Sequence, residues 1–587
     1  MSLLSDLSDR FRAAFESLGL DPARADVTVS DRPDLAQFQC NGALAVAKAA
    51  GRPPRDIAQD VIQAVADPGV FGQLSIAGPG FINIELTDDL LADRVVGLVG
   101  DARFGHEGRT ADGKVLIDFG GPNVAKAMHV GHLRSSLIGD SLQRVFRFAG
   151  YEVISDIHFG DWGTQMGQLI IEAELRDPDL RYFDAEYAGP YSADPPFSLD
   201  DLQEMYPAVA ARTKADPGEA ERARRATLEL QQGRPGYRAL WQHFWNVSHD
   251  AQKRDFDQLG VGFDLWHGES TVHERVAPML ELIQKGGGAN EDAGALIVEV
   301  EEPGDSKEIP PLLLTKSDGG YLYGTTDLAT IDNRVEMGVG EALYVVDARQ
   351  SLHFEQVFRA AYKTGVAPPG MILEHVPFGT MNGPDGKPFK TREGGVLRLD
   401  DLIGLVRDAA LARLQEAELA TDYEEAERSQ IAEKVGLAAL KYGDLSNSRS
   451  SNYVFDLDRF TSFEGKTGPY LLYGSVRIKS ILRRAAEREL APGEIVPPAR
   501  DAERALMLEL TRFPEVLDRT LEFRAPNHLA EYAYDIVSAF NRFYEACHIL
   551  SEPDPARQSS WLGLVDLTLG LLILLLDLLG IEVPDRM

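Results

Sequence analysis

At 587 residues the chain is too long for one hydrophobic core, and 44% hydrophobic with 26% charged residues excludes a disordered or fibrous protein. A net charge of -33 excludes a surface that coats itself in nucleic acid, because phosphate neutralisation needs Lys and Arg, yet it leaves room for a local basic track. Only Cys40 and Cys547 occur, which excludes a disulfide framework or a Cys-rich zinc site and fits a reducing compartment.

The first segment, residues 1–105, opens on MSLLSDLSDRFRAAF, a charged amphipathic helix without the apolar stretch of a signal peptide, so a cytoplasmic location is expected. Helical DIAQDVIQAVAD is followed by FGQLSIAGPGFINIEL, whose alternating apolar residues flank Gly78, Pro79 and Gly80 as a strand, turn and strand. The pattern predicts a small α+β module, closed by the polar, Gly-rich linker GDARFGHEGRTADGK.

A second domain spans 106–454. KVLIDFGGPN reads as a buried strand entering a loop; apolar positions from Gly131 to Ala149 then follow helical spacing up to a stop at Gly150. YEVISDIHFGDWGTQMG supplies the next strand, completing a βαβ unit, the seed of a Rossmann-type parallel sheet. From about 172 to 255 the sequence turns helical and charged, as an insertion between two halves of a sheet. GALIVEVEE, PLLLTK and EALYVVDA then restore strand character. The last segment, 455–587, is helical throughout and predicts an all-α bundle. Within it, the stretch from Trp561 to Val583 mimics a membrane span. Asp566 and Asp577 interrupt it, however, and the uncharged run Leu567 to Leu576 is short of the roughly 20 residues a bilayer requires. A buried bundle helix is expected instead, with no membrane partner.

The chemistry concentrates in PNVAKAMHVGH, residues 122–132. Two histidines three apart serve a zinc ion, a helix cap or an anion. Zinc would need a third ligand, and none of the zinc signatures is present, so no metal site is expected. The strand-to-helix context favours an anion, because a helix N-terminus offers unpaired N–H groups and a positive dipole end to phosphate, and imidazole N–H groups add donors. Gly131 keeps the middle of the site open for close approach.

HVGH at 129–132 after a first strand resembles the HIGH signature of class I aminoacyl-tRNA synthetases. Taken with FGDWGTQMGQLI, YLYGTTDLAT, GKPFKTREGG, FEGKTGPYLLY and the ending LLGIEVPDRM, in order along the whole chain, it resembles the arginyl-tRNA synthetase family. The resemblance implies ATP with Mg²⁺, L-arginine and tRNA(Arg) as partners, activation that requires tRNA, and a monomer. It places His129, Gly131 and His132 on ATP. The mobile KMSKS loop of the class falls on 382–395, where Pro388 and Phe389 stand in place of its Lys and Met, leaving Lys387 and Lys390 out of register. Lys126, just upstream of the signature, then supplies the missing charge. Asp118 and Asp327 fall on the guanidinium contacts, Tyr323 packs along the side chain, and Asn123 and Gln350 fix its backbone end. Phe81 and Asn83 correspond to tRNA contacts of the first module, and Tyr470, Tyr473, Phe543 and Met587 to the anticodon surface.

Overall fold

The computed structural model describes residues 2–587 apart from Asp31, Pro33, Asp34, residues 110–112, 317–319, Pro384, Asp385, residues 388–396 and Asp422. Two compact units emerge: one joins Met1–Arg109, Glu418–Glu427 and Ser462–Met587, the other joins Thr110–Ala417 and Arg428–Thr461. Of the three segments expected from sequence, the first and last therefore pack into one unit.

The chain opens with α1 (Leu3–Ser17), strands β1 (Val27–Val29) and β2 (Phe38–Cys40), helices α2 (Gly42–Ala50) and α3 (Pro54–Val65), and the hairpin β3 (Phe71–Ala77) and β4 (Phe81–Leu86), followed by α4 (Asp88–Val96). The strands form an antiparallel sheet in the order β1-β2-β4-β3. Phe11, Phe15, Ile57, Val61, Ile82 and Ile84 are fully buried between sheet and helices, as the alternation of the hairpin and the 3.6-residue period of α3 require.

The second unit is built on β5 (Lys114–Phe119), α5 (Val130–Ala149) and β6 (Val153–Asp156), the βαβ unit read from the sequence. Gly139 lets α5 lie directly on its strand: a Cβ there would stand 2.1 Å from the Phe119 ring. Helix α6 (Thr164–Arg176) is followed by α7 (Leu199–Ala215), α8 (Pro217–Gln231) and α9 (Pro235–Leu259), which share a core of their own around Leu202, Met205, Leu230 and Phe244. Next come α10 (His273–Lys285), β7 (Asn290–Asp292), β8 (Ala295–Val298), β9 (Leu312–Thr315), α11 (Tyr323–Glu336), β10 (Val339–Val345), α12 (Ser351–Thr364) and β11 (Ile372–His375). The parallel sheet runs β11-β10-β5-β6, whereas β7, β8 and β9 form a separate antiparallel sheet. Two of the three late strand segments thus lie outside the parallel sheet, because apolar runs of that length mark burial without specifying a partner. The unit closes with β12 (Met381–Asn382), α13 (Leu399–Glu416), α14 (Glu425–Leu445), β13 (Tyr453–Val454), which pairs in parallel with β12, and the short α15 (Leu457–Phe460).

The C-terminal helices are α16 (Gly468–Ala486), α17 (Asp501–Leu510), α18 (Phe513–Phe523), α19 (Asn527–Ala546) and α20 (Pro555–Leu578). By length and composition α20 could cross a membrane, but it packs against α16 and α19 with Leu564, Val565, Leu571, Leu572 and Leu575 fully buried. The N-terminal module docks on this bundle: Arg504 reaches Asp88 and the Leu86 carbonyl, and Glu515 accepts the Leu4 N–H at 3.0 Å.

Candidate active site

The end of β5 and the start of α5 shape the histidine pair. His129 is the N-cap of α5, and its Nδ1 accepts the Gly131 N–H at 3.0 Å; His132 Nδ1 accepts the His129 N–H at 3.1 Å. The rings face one another with centroids 4.0 Å apart. Both Nδ1 atoms being acceptors, the neutral rings carry their proton on Nε2, and each presents an Nε2–H donor beside the helix N-terminus. Burial, with the nearby charge of Lys126, holds His129 below the ordinary imidazole range; burial and His129 hold His132 down to about 3. The cap and anion readings therefore describe opposite edges of the same rings. Gly131 has a local reason beyond ligand access, since a Cβ would stand 2.7 Å from the His129 ring. Lys126 Nζ lies 4.5 Å from the Tyr206 ring centre, and burial lowers its pKa. Gln252 Nε2 holds the loop by donating to the Asn123 and Lys126 carbonyls, each at 3.0 Å.

Both ends of the signature loop are tied to this element, which the sequence did not reveal. At the far end, Val130 N–H donates to Leu397 O at 3.1 Å and Leu399 N–H to Met128 O at 3.0 Å, with His129 and Arg398 bridged antiparallel. At the near end, β12 pairs with β13, whose Tyr453 donates to Asp444 at 2.8 Å; Asp444 also receives Arg134 of α5 at 3.0 Å. Lys387 is exposed, and its carbonyl accepts the Gly383 N–H at 2.7 Å in a turn. Lys390, with Pro388, Phe389, Thr391, Arg392, Gly394 and Gly395, lies outside the described residues.

On the arginine side the expectation for Asp118 needs correction. Its carboxylate is buried and hydrogen-bonded to Arg334 of α11, which also reaches Asp156 at 3.1 Å. An internal guanidinium thus holds the carboxylate that the resemblance assigns to the substrate. Arg334 also disposes of a possible ion site: Asp118, Asp156 and His158 have ligand atoms within 4.8 Å of one another, but the guanidinium stands among them. Asn123 bridges Gly160, and Tyr323 opens α11 as an exposed residue. One turn along, Asp327 accepts from His353 Nε2 at 2.7 Å, a bond that raises the His353 pKa. His353 stands on α12, which follows the exposed Gln350. Glu269, unnoticed in the sequence, lies close enough to raise the Tyr323 pKa after burial itself. A lone acidic residue in the loop stretch HGES was its only signal.

The tRNA candidates separate. Phe81 is half-buried over the Gly78 turn, whereas Asn83 is buried and its amide oxygen accepts Gln39 Nε2 at 3.0 Å, leaving little edge for a base. Tyr473 is exposed, with Arg477 5.7 Å from its ring centre; Tyr470 accepts Asn541 Nδ2 at 2.9 Å, and Asn541 also accepts from Arg477 at 3.3 Å. Phe543 is fully buried against Trp561, so its anticodon assignment is corrected to core packing. Its neighbour Tyr544 instead lies under Arg477, 5.2 Å from the guanidinium. Met587 is half-buried at the end of the chain.

Known proteins share this fold. Residues 97–457 match the family model for the class I (R) tRNA synthetase catalytic domain, 5–86 the arginyl-tRNA synthetase N-terminal domain, and 471–587 the DALR anticodon binding domain. The chain is 49% identical to the arginine–tRNA ligase of Alkaliphilus oremlandii over 587 residues, and 51% identical to that of Maricaulis maris over 588, each along the full length of both. Among solved structures, arginyl-tRNA synthetase from Plasmodium falciparum superposes with a TM-score of 0.82 at 26% identity, covering 100% of this chain and 99% of that one. The chain belongs to the arginyl-tRNA synthetase family of class I enzymes, ATP-dependent ligases that join arginine to tRNA(Arg).

Proposed function

We propose that His129 and His132 direct their Nε2–H groups at the ATP phosphates while the arginine carboxylate attacks the α-phosphorus and pyrophosphate leaves. The observation that carries this is the pair of Nδ1 atoms capped by backbone N–H groups. It fixes the donors before substrate arrives, as electrostatic stabilisation of developing charge requires. A carboxylate nucleophile has no proton to lose, so neither ring acts as a general base.

Lys126, and Lys387 or Lys390 from the loop, add positive charge on either side of the triphosphate, with Gly131 leaving the approach open. Tyr323 and Asp327 face the guanidinium, and Asn123 and Gln350 the α-amino and carboxylate end. Asp118 serves through Arg334 as a fixed wall of the pocket. Mg²⁺ enters with ATP as part of the substrate; in support, Arg334 pairs with Asp118 and Asp156 inside the three-ligand cluster.

In the other unit, Phe81 of the first module and Tyr470, Tyr473 and Met587 of the C-terminal bundle belong to the tRNA surface, with Tyr544 in place of Phe543, while Asn83 supports the sheet beneath through Gln39. The proposed division is a tRNA-contacting module at 1–105, a catalytic domain at 106–454 and an anticodon-binding bundle at 455–587. A cytoplasmic location without a membrane partner is supported by two buried thiols, each raised to about 11 by burial, and by the packed faces of α20. A monomeric state is tested by light scattering.

The test of the site is ATP–pyrophosphate exchange with each amino acid, with and without tRNA. Exchange driven by arginine alone, and only with tRNA present, is expected. His129→Ala and His132→Ala should each lower its rate by roughly 10²–10³-fold, the usual loss for one transition-state donor. Lys126→Ala leaving exchange unchanged, while Lys390→Ala abolishes it, would move the missing charge to the loop.

A further inference from the structure

Lys126 stands beside the histidine pair as a half-buried cation, and among the described residues no carboxylate pairs with it. A long side chain of this kind has rotamer freedom to lose, and an unpaired charge does not hold itself in one place. Tyr206 of α7 faces it: Nζ lies 4.5 Å from the ring centre, within cation–π range. We propose that Tyr206 is a positioning residue of arginine activation, holding the Lys126 ammonium on its ring face so that the full charge is presented to the triphosphate. The proposal rests on reading Lys126 as the cation that the signature loop lacks.

The ring is set on a fixed element. Helix α7 starts in a capping box, where Ser198 Oγ accepts the Asp201 N–H at 3.2 Å and the Asp201 carboxylate accepts the Ser198 N–H at 2.8 Å. Leu202, Met205 and Val209 of this helix are buried, and Tyr206 packs half-buried against the same cluster. The other end of Lys126 is held from α9. Ser248 Oγ accepts the Ala125 N–H at 2.8 Å, and Gln252, one turn on, donates to the carbonyls of Asn123 and Lys126. Ser248 and Gln252 are fully buried. Ala125 needs such holding, because its φ of 65° lies in left-handed backbone that a residue with a Cβ rarely adopts. The helical insertion thus sets both ends of Lys126, the backbone from α9 and the ammonium from α7.

A ring suits this task better than a carboxylate would. A carboxylate partner would cancel the charge that the triphosphate is to meet, and would itself repel phosphate. An aromatic face attracts the cation through its quadrupole and leaves the net charge whole. Tyr206 has a second route into the site, since its hydroxyl approaches Tyr323 closely enough to raise the Tyr323 pKa, behind burial and Glu269. Ring and hydroxyl are separable: phenylalanine keeps the first and removes the second.

The experiment measures tRNA-dependent ATP–pyrophosphate exchange for the wild type, Tyr206→Leu, Tyr206→Phe, Lys126→Ala and the double variant Tyr206→Leu with Lys126→Ala. Tyr206→Leu should lower kcat/KM for ATP by roughly 3- to 30-fold, the range of a cation–π contact at a partly buried site, and leave the KM for arginine nearly unchanged. Tyr206→Phe should restore most of the rate. In the Lys126→Ala background Tyr206→Leu should cost nothing further, because a residue that acts through Lys126 loses its effect with it. A merely structural residue costs as much in either background, and that additive outcome overturns the proposal. So does a Tyr206→Phe as damaging as Tyr206→Leu, which would assign the effect to the hydroxyl and Tyr323. Should Tyr206→Leu not fold, as judged by circular dichroism, Tyr206→Gln takes its place under the same criteria. Unchanged exchange in Lys126→Ala would sink the reading of Lys126 itself; a loss there, with none in Tyr206→Leu, overturns only the role of Tyr206.

Discussion

His129 and His132 are donors fixed by their own backbone, and this has a measurable consequence in acid. His132 ionises at about 3 in the folded chain, against 6.5 for a free imidazole. The unfolded chain therefore binds a proton that the folded one refuses, so the stability contribution is whole above pH 6.5 and falls as the pH drops. By pH 5 the loss amounts to about 2 kcal/mol, at 1.36 kcal/mol per unit. Denaturant unfolding of the wild type and His132→Asn at pH 7 and pH 5 checks this: the wild type should lose more on acidification. Arg334 carries a second residue-scale prediction. Replacing it with Met leaves Asp118 and Asp156 buried together without their cation and should cost roughly 3–5 kcal/mol, seen as a lower denaturation midpoint. Asp118 shows what a motif leaves out. Its chemical type was legible, but its partner lies 216 positions further along the chain, and nothing in the local spacing points to it.

At the scale of elements, one step along a helix separates core from surface. Consecutive residues point about 100° apart, so in α19 Phe543 enters the bundle while Tyr544 lies beneath Arg477. Phe543→Ala should destabilise the bundle by roughly 3–5 kcal/mol through cavity formation. Tyr544→Ala should raise the KM for tRNA several-fold through lost base stacking and leave stability nearly unchanged. Thermal unfolding and aminoacylation kinetics separate the two outcomes. The signature loop gives the other case. Its position along the chain was legible by resemblance, whereas its attachments were not, because the bonds from Leu397 and Leu399 to Met128 and Val130 join backbone atoms and leave no side-chain trace. Asp444→Ala strands the buried Arg134 and Tyr453 at once. It should cost roughly 3–5 kcal/mol and raise the KM for ATP more than that for arginine, as steady-state kinetics would report.

For the whole molecule, composition and periodicity carried most of the architecture. The hairpin around Gly78 and Gly80, the βαβ unit with its helix ending at Gly150, the helical insertion and the buried apolar helix at the end all stand where their patterns put them. Each is a local matter: period 2 or 3.6, a glycine in left-handed backbone, a charge within an apolar run. The union of the first and last segments in one unit was not legible, since the Arg504–Asp88 and Glu515–Leu4 contacts join residues more than 400 positions apart. Removing residues 1–105 should therefore uncover the half-buried Glu515 and loosen α17 and α18, which limited proteolysis would register as new cleavage in those helices. The sequence by itself determined the elements, the family and the histidine turn at the start of α5, because these depend on neighbours along the chain. Only the tertiary structure decided which edge of each imidazole is free and which guanidinium Asp118 holds, because charge and burial act through space.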